Sequence, residues 1–161
     1  MFDYLSTTYL FDKNGIHAVK NDDESITFSG VLTTNYTGLI SNIDITSILD
    51  DGQVYTISQT TANSNLFMDV FAYLAGTTTT ANIARCSWDR TKSFTVDKTT
   101  YDTYFVRVMT GNTSGWGTSS RTITQQFQLE KGTATTFEKY VGGTASPNPS
   151  FPQNIDVVTG T

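Results

Sequence analysis

Apolar and polar residues alternate with a period of two along most of the chain. Segments 16–20, 24–29, 53–59, 66–75, 81–88, 92–96, 103–109 and 121–129 follow this rhythm and are expected as strands, because successive strand side chains point to opposite faces. Turn-forming clusters separate them, among them Asp12-Lys13-Asn14-Gly15, Asn21-Asp22-Asp23, Asp50-Asp51-Gly52, Ala62-Asn63-Ser64-Asn65 and Gly111-Asn112-Thr113-Ser114-Gly115. Many short strands at this spacing predict an antiparallel sandwich or jelly roll. No stretch carries a helical repeat with caps. The nearest is Ile43–Leu49, where Asp44 or Thr46 could cap a single turn.

The same alternation assigns faces. Leu66, Met68, Val70, Ala72 and Leu74 are expected toward the core, with Phe67, Asp69, Phe71 and Tyr73 on the other side. Tyr104, Val106 and Val108 are read as inward, which places Phe105 and Arg107 opposite. In the last strand Ile123, Phe127 and Leu129 face in, and Thr124, Gln126 and Gln128 face out. One sheet face is therefore expected to be an open surface of mixed aromatic and polar side chains.

Composition agrees with a β fold. The 161 residues suit one domain with a full core. Only 16% are charged, and Thr, which fits a pleated surface, supplies much of the polarity. After Tyr140 the composition breaks, and the segment from Val141 to Pro152 holds all three prolines. Residues 1–140 are read as the sandwich and 141–161 as a semi-rigid Gly/Ser/Pro-rich linker toward a further module.

Charge and motifs narrow the function. The net charge of −5 comes without a basic cluster, which argues against nucleic acid and anionic membranes but leaves neutral polymers open. No run of apolar residues is long enough to span a bilayer, and the first residues lack the features of a signal peptide. A single Cys86 allows no internal disulfide and is expected buried. His17, the one histidine, is read as structural or superficial, since a catalytic dyad needs a nucleophile and an orienting partner in reach. Asp22, Asp23 and Glu24 are consecutive in a turn, so they form no glycosidase pair. No cofactor is expected. The one metal considered is a structural Ca²⁺ held by loop carboxylates and Glu130, without EF-hand spacing. Two sequons, at Asn35 and Asn112, are what chance gives in a chain rich in Thr and Ser.

Aromatic residues carry the remaining signal. Trp116 lies in a polar, Gly-flanked loop read as flexible. Either it stacks on a ligand such as a sugar ring, or it folds over the sandwich edge. Trp88, at a strand end, is expected mainly to pack against the core. Tyr73, Asp69 and Arg107 share the expected open face. Trp116, Tyr73, Asp69, Arg107 and, last, Trp88 are the candidate ligand-binding residues.

Two segments resemble a known family. Asn14-Gly15-Ile16 through Asn21-Asp22-Asp23-Glu24-Ser25-Ile26-Thr27-Phe28-Ser29-Gly30 is similar to an "NG…NDDGSITVNG" hairpin. Gln128-Leu129-Glu130-Lys131-Gly132-Thr133-Ala134-Thr135-Thr136-Phe137-Glu138-Lys139-Tyr140-Val141-Gly142-Gly143 is similar to a "LEKGSTATPYEPYxGG" ending. Both patterns occur in the carbohydrate-binding-module-like domains of tail and baseplate proteins of phages infecting Gram-positive bacteria. Glu24 stands where the family has a turn Gly, and Thr136 where it has Pro. The resemblance implies an all-β, jelly-roll sandwich located in a virion. It implies non-catalytic adhesion to a bacterial cell-surface saccharide, with other phage tail or baseplate proteins as partners. The alternatives are a tail assembly module that binds no saccharide and a glycan-degrading enzyme. The matched motifs are structural and transfer no binding residue.

Overall fold

The computed structural model describes residues 9–137, and the segment expected as a linker, 141–161, lies outside them. The described chain is built from antiparallel strands: β1 (Tyr9–Lys13), β2 (Ile16–Lys20), β3 (Ile26–Gly30), β4 (Gly38–Asp44), β5 (Val54–Gln59), β6 (Leu66–Leu74), β7 (Thr80–Cys86), β8 (Thr91–Thr95), β9 (Tyr101–Thr110), β10 (Arg121–Gln125) and β11 (Phe127–Lys131). A 3-10 turn at Thr46–Ile48 and a short helix, α1 (Thr113–Trp116), complete it. The expected all-β sandwich is observed.

Three sheets form, with orders β1-β2-β3-β10, β11-β5-β8 and β4-β9-β6-β7. β10 and β11 are one expected strand broken at Gln126: its first half pairs with β3 and its second with β5. The first two sheets therefore meet along this run. Their inward residues, among them Phe28, Ile57 and Phe127, join Val70, Tyr104 and Val106 of the third sheet in one buried cluster. Hydrophobic burial between sheets is what selects the period-two pattern.

Local chemistry explains the connections. Asn14 and Gly15 both have positive φ, 50° and 80°, which suits the two-residue turn joining β1 to β2. A side chain at Gly15 would also meet the Val31 carbonyl oxygen at 2.1 Å. Glu24 adopts φ 65°, the left-handed conformation for which the family pattern supplies Gly. After β11, Gly132 turns at φ 82° and its N–H donates to the Val54 carbonyl. Glu130, 5% exposed, accepts from the backbone N–H and hydroxyl of Thr135, which ties down the next segment.

Two strands, β1 and β4, escaped the sequence reading. Both pair with register shifts, in β1 between Tyr9 and Phe11 and in β4 at Gly38/Ile40 and Ile40/Ile43. Such irregularities break strict alternation. The turn expected over Ile43–Leu49 is the end of β4 followed by the 3-10 turn, with Asp44 accepting from the Thr46 N–H at 2.9 Å.

Candidate functional site

Four loops converge at one end of the third sheet. They precede β4 and β6 and follow β7 and β9. Together they enclose a recess of about 330 Å³ that includes Tyr36, Asn65, Phe67, Arg85, Trp88 and Asn112 in its lining.

The loop after β9 is rigidly built, which corrects the expectation that it is flexible. Asn112 caps α1, its side chain accepting from the Gly115 N–H at 2.6 Å. The Thr113 N–H donates to the Asn35 side chain at 2.8 Å, and the Gly111 N–H to the Asn65 carbonyl at 3.0 Å. Gly115 is required by close approach: a Cβ there would lie 2.4 Å from Asn65 Oδ1. These contacts turn Trp116 inward. It is fully buried, and its indole Nε1 donates to the Gly30 carbonyl at 3.1 Å. Trp116 is thus a core residue and not a ligand platform.

Trp88 has the opposite environment. The packing expected at this strand end is not observed: it is 80% exposed on the turn between β7 and β8. Tyr36, across the recess, is 61% exposed and holds φ 51°. A bulky aromatic residue in the left-handed region is uncommon and costs about 1–2 kcal/mol. Its N–H bond to the Gly111 carbonyl, at 2.9 Å, helps fix it there. Strain of this kind clusters where function needs it.

The expected open face proves to be closed. Asp69 is fully buried and lies directly opposite Arg107 of β9 and Arg85 of β7. Arg107 grips the carboxylate with two nitrogens, at 2.6 and 3.2 Å, and Arg85 with one, at 2.8 Å. Asn82 adds a fourth donor at 3.2 Å. Each guanidinium also lies 4.6 Å over a ring centroid, Arg85 on Phe67 and Arg107 on Phe71. Tyr73 packs edge-on against Phe105, and Phe105 stacks on Phe71, both at 5.2 Å between centroids. Asp69, Arg107 and Tyr73 therefore come together as expected, but as a mutually satisfied outer layer. Alternation found the face correctly. It could not show that two arginines would fold back over it.

Other candidates fall elsewhere. His17 pairs with Asp12 at 2.7 Å on the exposed surface. Cys86 is buried, as expected; its thiol bonds the Ile57 carbonyl and is pushed up to about 12, chiefly by burial. The acidic turns occupy their own oxygens. Asp97 accepts from the Thr100 hydroxyl and from the Thr99 and Thr100 N–H groups, and these bonds hold its carboxyl below the ordinary value. Glu130 is engaged by Thr135 as described. Among the described residues no group of three or more His, Cys, Asp or Glu could hold a metal, and no helix is long and apolar enough to cross a membrane.

Sequence reading missed Tyr36, Arg85, Phe67 and Asn65. Tyr36 sits in Thr34-Asn35-Tyr36-Thr37, a polar cluster with one large aromatic residue, which was a signal of the same kind as Trp116. Alternation places Phe67 on the face of Asp69 without marking it as a site residue, and Arg85 carries no signal without the strand pairing.

No family model matches the chain, and no curated protein matches it. Solved structures similar to the chain include the following two. One is a Glycosylation Associate Protein complex from Streptococcus agalactiae, at 17% identity and TM-score 0.49, covering 83% of this chain and 48% of that one. The other contains accessory secretory protein 1, 2 and 3 of Streptococcus pneumoniae, at 14% identity and TM-score 0.41, covering 73% and 85%. The chain spans about half the length of the first of these.

These findings correct the phage resemblance. These two structures are of streptococcal glycosylation-associated and accessory secretory proteins, and neither is described as a tail or baseplate protein. The expectations that rested on the resemblance go with it: the virion location, adhesion to cell-wall polysaccharide, the tail-assembly alternative and the phage partners. The end motif that suggested the family has a local physical explanation instead, since Glu130 and Gly132 close the turn after β11.

Proposed function

We propose that this domain is a non-catalytic docking module that binds a partner protein at the loop end of its sandwich. The observation that carries this reading is the pair Trp88 and Tyr36, two exposed aromatic side chains lining one recess, the Tyr36 loop being held by its N–H bond to the Gly111 carbonyl. Exposed apolar side chains gathered around one recess mark contact sites in a way that singly scattered ones do not, and Trp, Tyr and Arg dominate the energetic centres of protein interfaces. Preorganised loops lower the entropy lost on binding. Tyr36 adds a second sign, because its left-handed backbone carries a bulky aromatic side chain that is left in solvent.

Hydrogen exchange on the domain bound to a purified partner, isolated by affinity capture, tests the reading. Protection is expected in residues 34–37, 63–65, 87–90 and 111–115. Protection confined to the opposite end, or turnover of a glycan or peptide by the domain alone, would refute it.

A further inference from the structure

The recess carries an imbalance of charge that bears on the kind of partner it takes. One carboxylate, Asp69, serves two guanidiniums, so the Arg85–Asp69–Arg107 ladder keeps one net positive charge. Arg107 commits two nitrogens to Asp69, whereas Arg85 commits one. The Arg85 side chain remains 43% exposed and lines the recess. Among the described residues Asp69 is its one hydrogen-bonded acceptor, through one nitrogen, which leaves donors of the fork able to take a further acceptor. The Arg85 guanidinium carbon lies 4.6 Å over the Phe67 ring centroid, so the ring backs the group on one side. A planar fork backed in this way is suited to a carboxylate, which it can take through two parallel bonds.

The surroundings limit the ligand further. The chain as a whole carries −5, so a polyanion would be repelled as it approached. At about 330 Å³, the recess sits near the lower end of ligand pockets, a size for one anchoring side chain and its neighbour. Trp88 and Tyr36 offer apolar walls on either side.

We infer that the recess is an anchor pocket for a single Asp or Glu of a partner-protein segment, bound through Arg85, with an adjacent apolar residue held between Trp88 and Tyr36. This rests on the docking reading above and adds the chemistry of the contact.

The test is selection from a displayed library of random peptides on the full chain. Enriched sequences are expected to carry an acidic residue beside an aliphatic or aromatic one. Replacing that acidic residue by its amide is expected to weaken binding about tenfold, the loss typical of one charge-assisted contact. Arg85→Gln should produce the same loss, with Arg85→Lys in between, because Lys keeps the charge but not the fork. Arg85→Gln also changes the support of Asp69, so its thermal melt is compared; the amide peptide on the unaltered domain needs no folded variant. Peptides that bind through Trp88 yet ignore both the amide exchange and Arg85→Gln overturn this inference and leave the docking reading intact. Peptides whose binding is indifferent to Trp88→Ala overturn both. So does enrichment of no peptide at all while an oligosaccharide array is bound through Trp88.

Discussion

The two ends of the sandwich solve the same problem differently. At the end holding residues 44–52, 75–79 and 96–100, the loops carry carboxylates that satisfy their own turns. Asp97 accepts from Thr99 and Thr100, Asp102 from the Gly76 N–H, and Asp50 pairs with Lys131. The last of these pairs is exposed on both sides and contributes little. At the other end Asn112, Asn65 and Asn35 tie together the loops before β4, before β6 and after β9, while Tyr36 and, on the turn after β7, Trp88 stay in solvent. One end uses its polar groups to finish the fold. That end also leaves Ile48 and Val54 in solvent, but the large exposed aromatics, Trp88 and Tyr36, both lie at the other. Rigid loops alone do not mark a site; rigid loops presenting unsatisfied surface do.

Within the aromatic end the two tryptophans give the largest contrast. Trp116→Ala removes a fully buried indole and should cost about 3–5 kcal/mol of stability in urea unfolding. Trp88→Ala should change stability by less than about 0.5 kcal/mol, as expected for an exposed position. Equal effects would erase the distinction between anchor and binding surface. Next in size is Asp69→Ala. Losing the shared acceptor should cost about 2–3 kcal/mol, below a fully buried pair because both arginines can still reach water. A neutral result would mean that the outer layer is held by ring stacking alone.

A smaller effect separates strain that serves function from strain that does not. Glu24 and Tyr36 both hold left-handed backbone, and replacing either by Gly should raise stability by about 1 kcal/mol. Glu24→Gly should leave partner binding unchanged, while Tyr36→Gly should weaken it. If neither variant is stabilised, the strain reading fails at both positions.

The smallest effect belongs to the acidic end. Hydrogen bonds from Thr100 and Thr99 hold the Asp97 carboxyl below its ordinary value of 3.8. The sign follows from linkage: a lowered folded-state value stabilises above the ordinary value and is lost as pH falls through the lowered one. Asp97→Asn should therefore flatten the acid limb of a pH–melting curve slightly, below about pH 4, and leave binding at neutral pH untouched. An altered neutral-pH affinity would show that the two ends are coupled.

The fold was largely legible because burial imposes a period of two wherever the ladders run straight. It failed at β1 and β4, where bulges shift the register. It failed again at Gln126, where one continuous pattern passes between two partners. The site was legible only in part. Trp88, whose strand-end position predicts packing, is exposed, while Trp116, the most conspicuous residue in the sequence, is core. Both lie among polar neighbours, Trp88 beside a strand end and Trp116 between glycines, and neither pattern tells which indole is buried. The difference lies in the Asn112 cap and in the Gly30 carbonyl, 86 positions away in sequence, which accepts the Trp116 indole. Arg85 was invisible as a site residue for the same reason: its role comes from strand register against Asp69.

The central claim is that Trp88 is a binding residue and not a structural one. Its most direct test is a titration of purified partner, or of an enriched peptide, against the unaltered domain and Trp88→Ala, with a thermal melt of each. The account predicts affinity weakened at least about tenfold, as for an interfacial hot spot, at an unchanged melting temperature. Unchanged affinity in a variant that melts normally would contradict it.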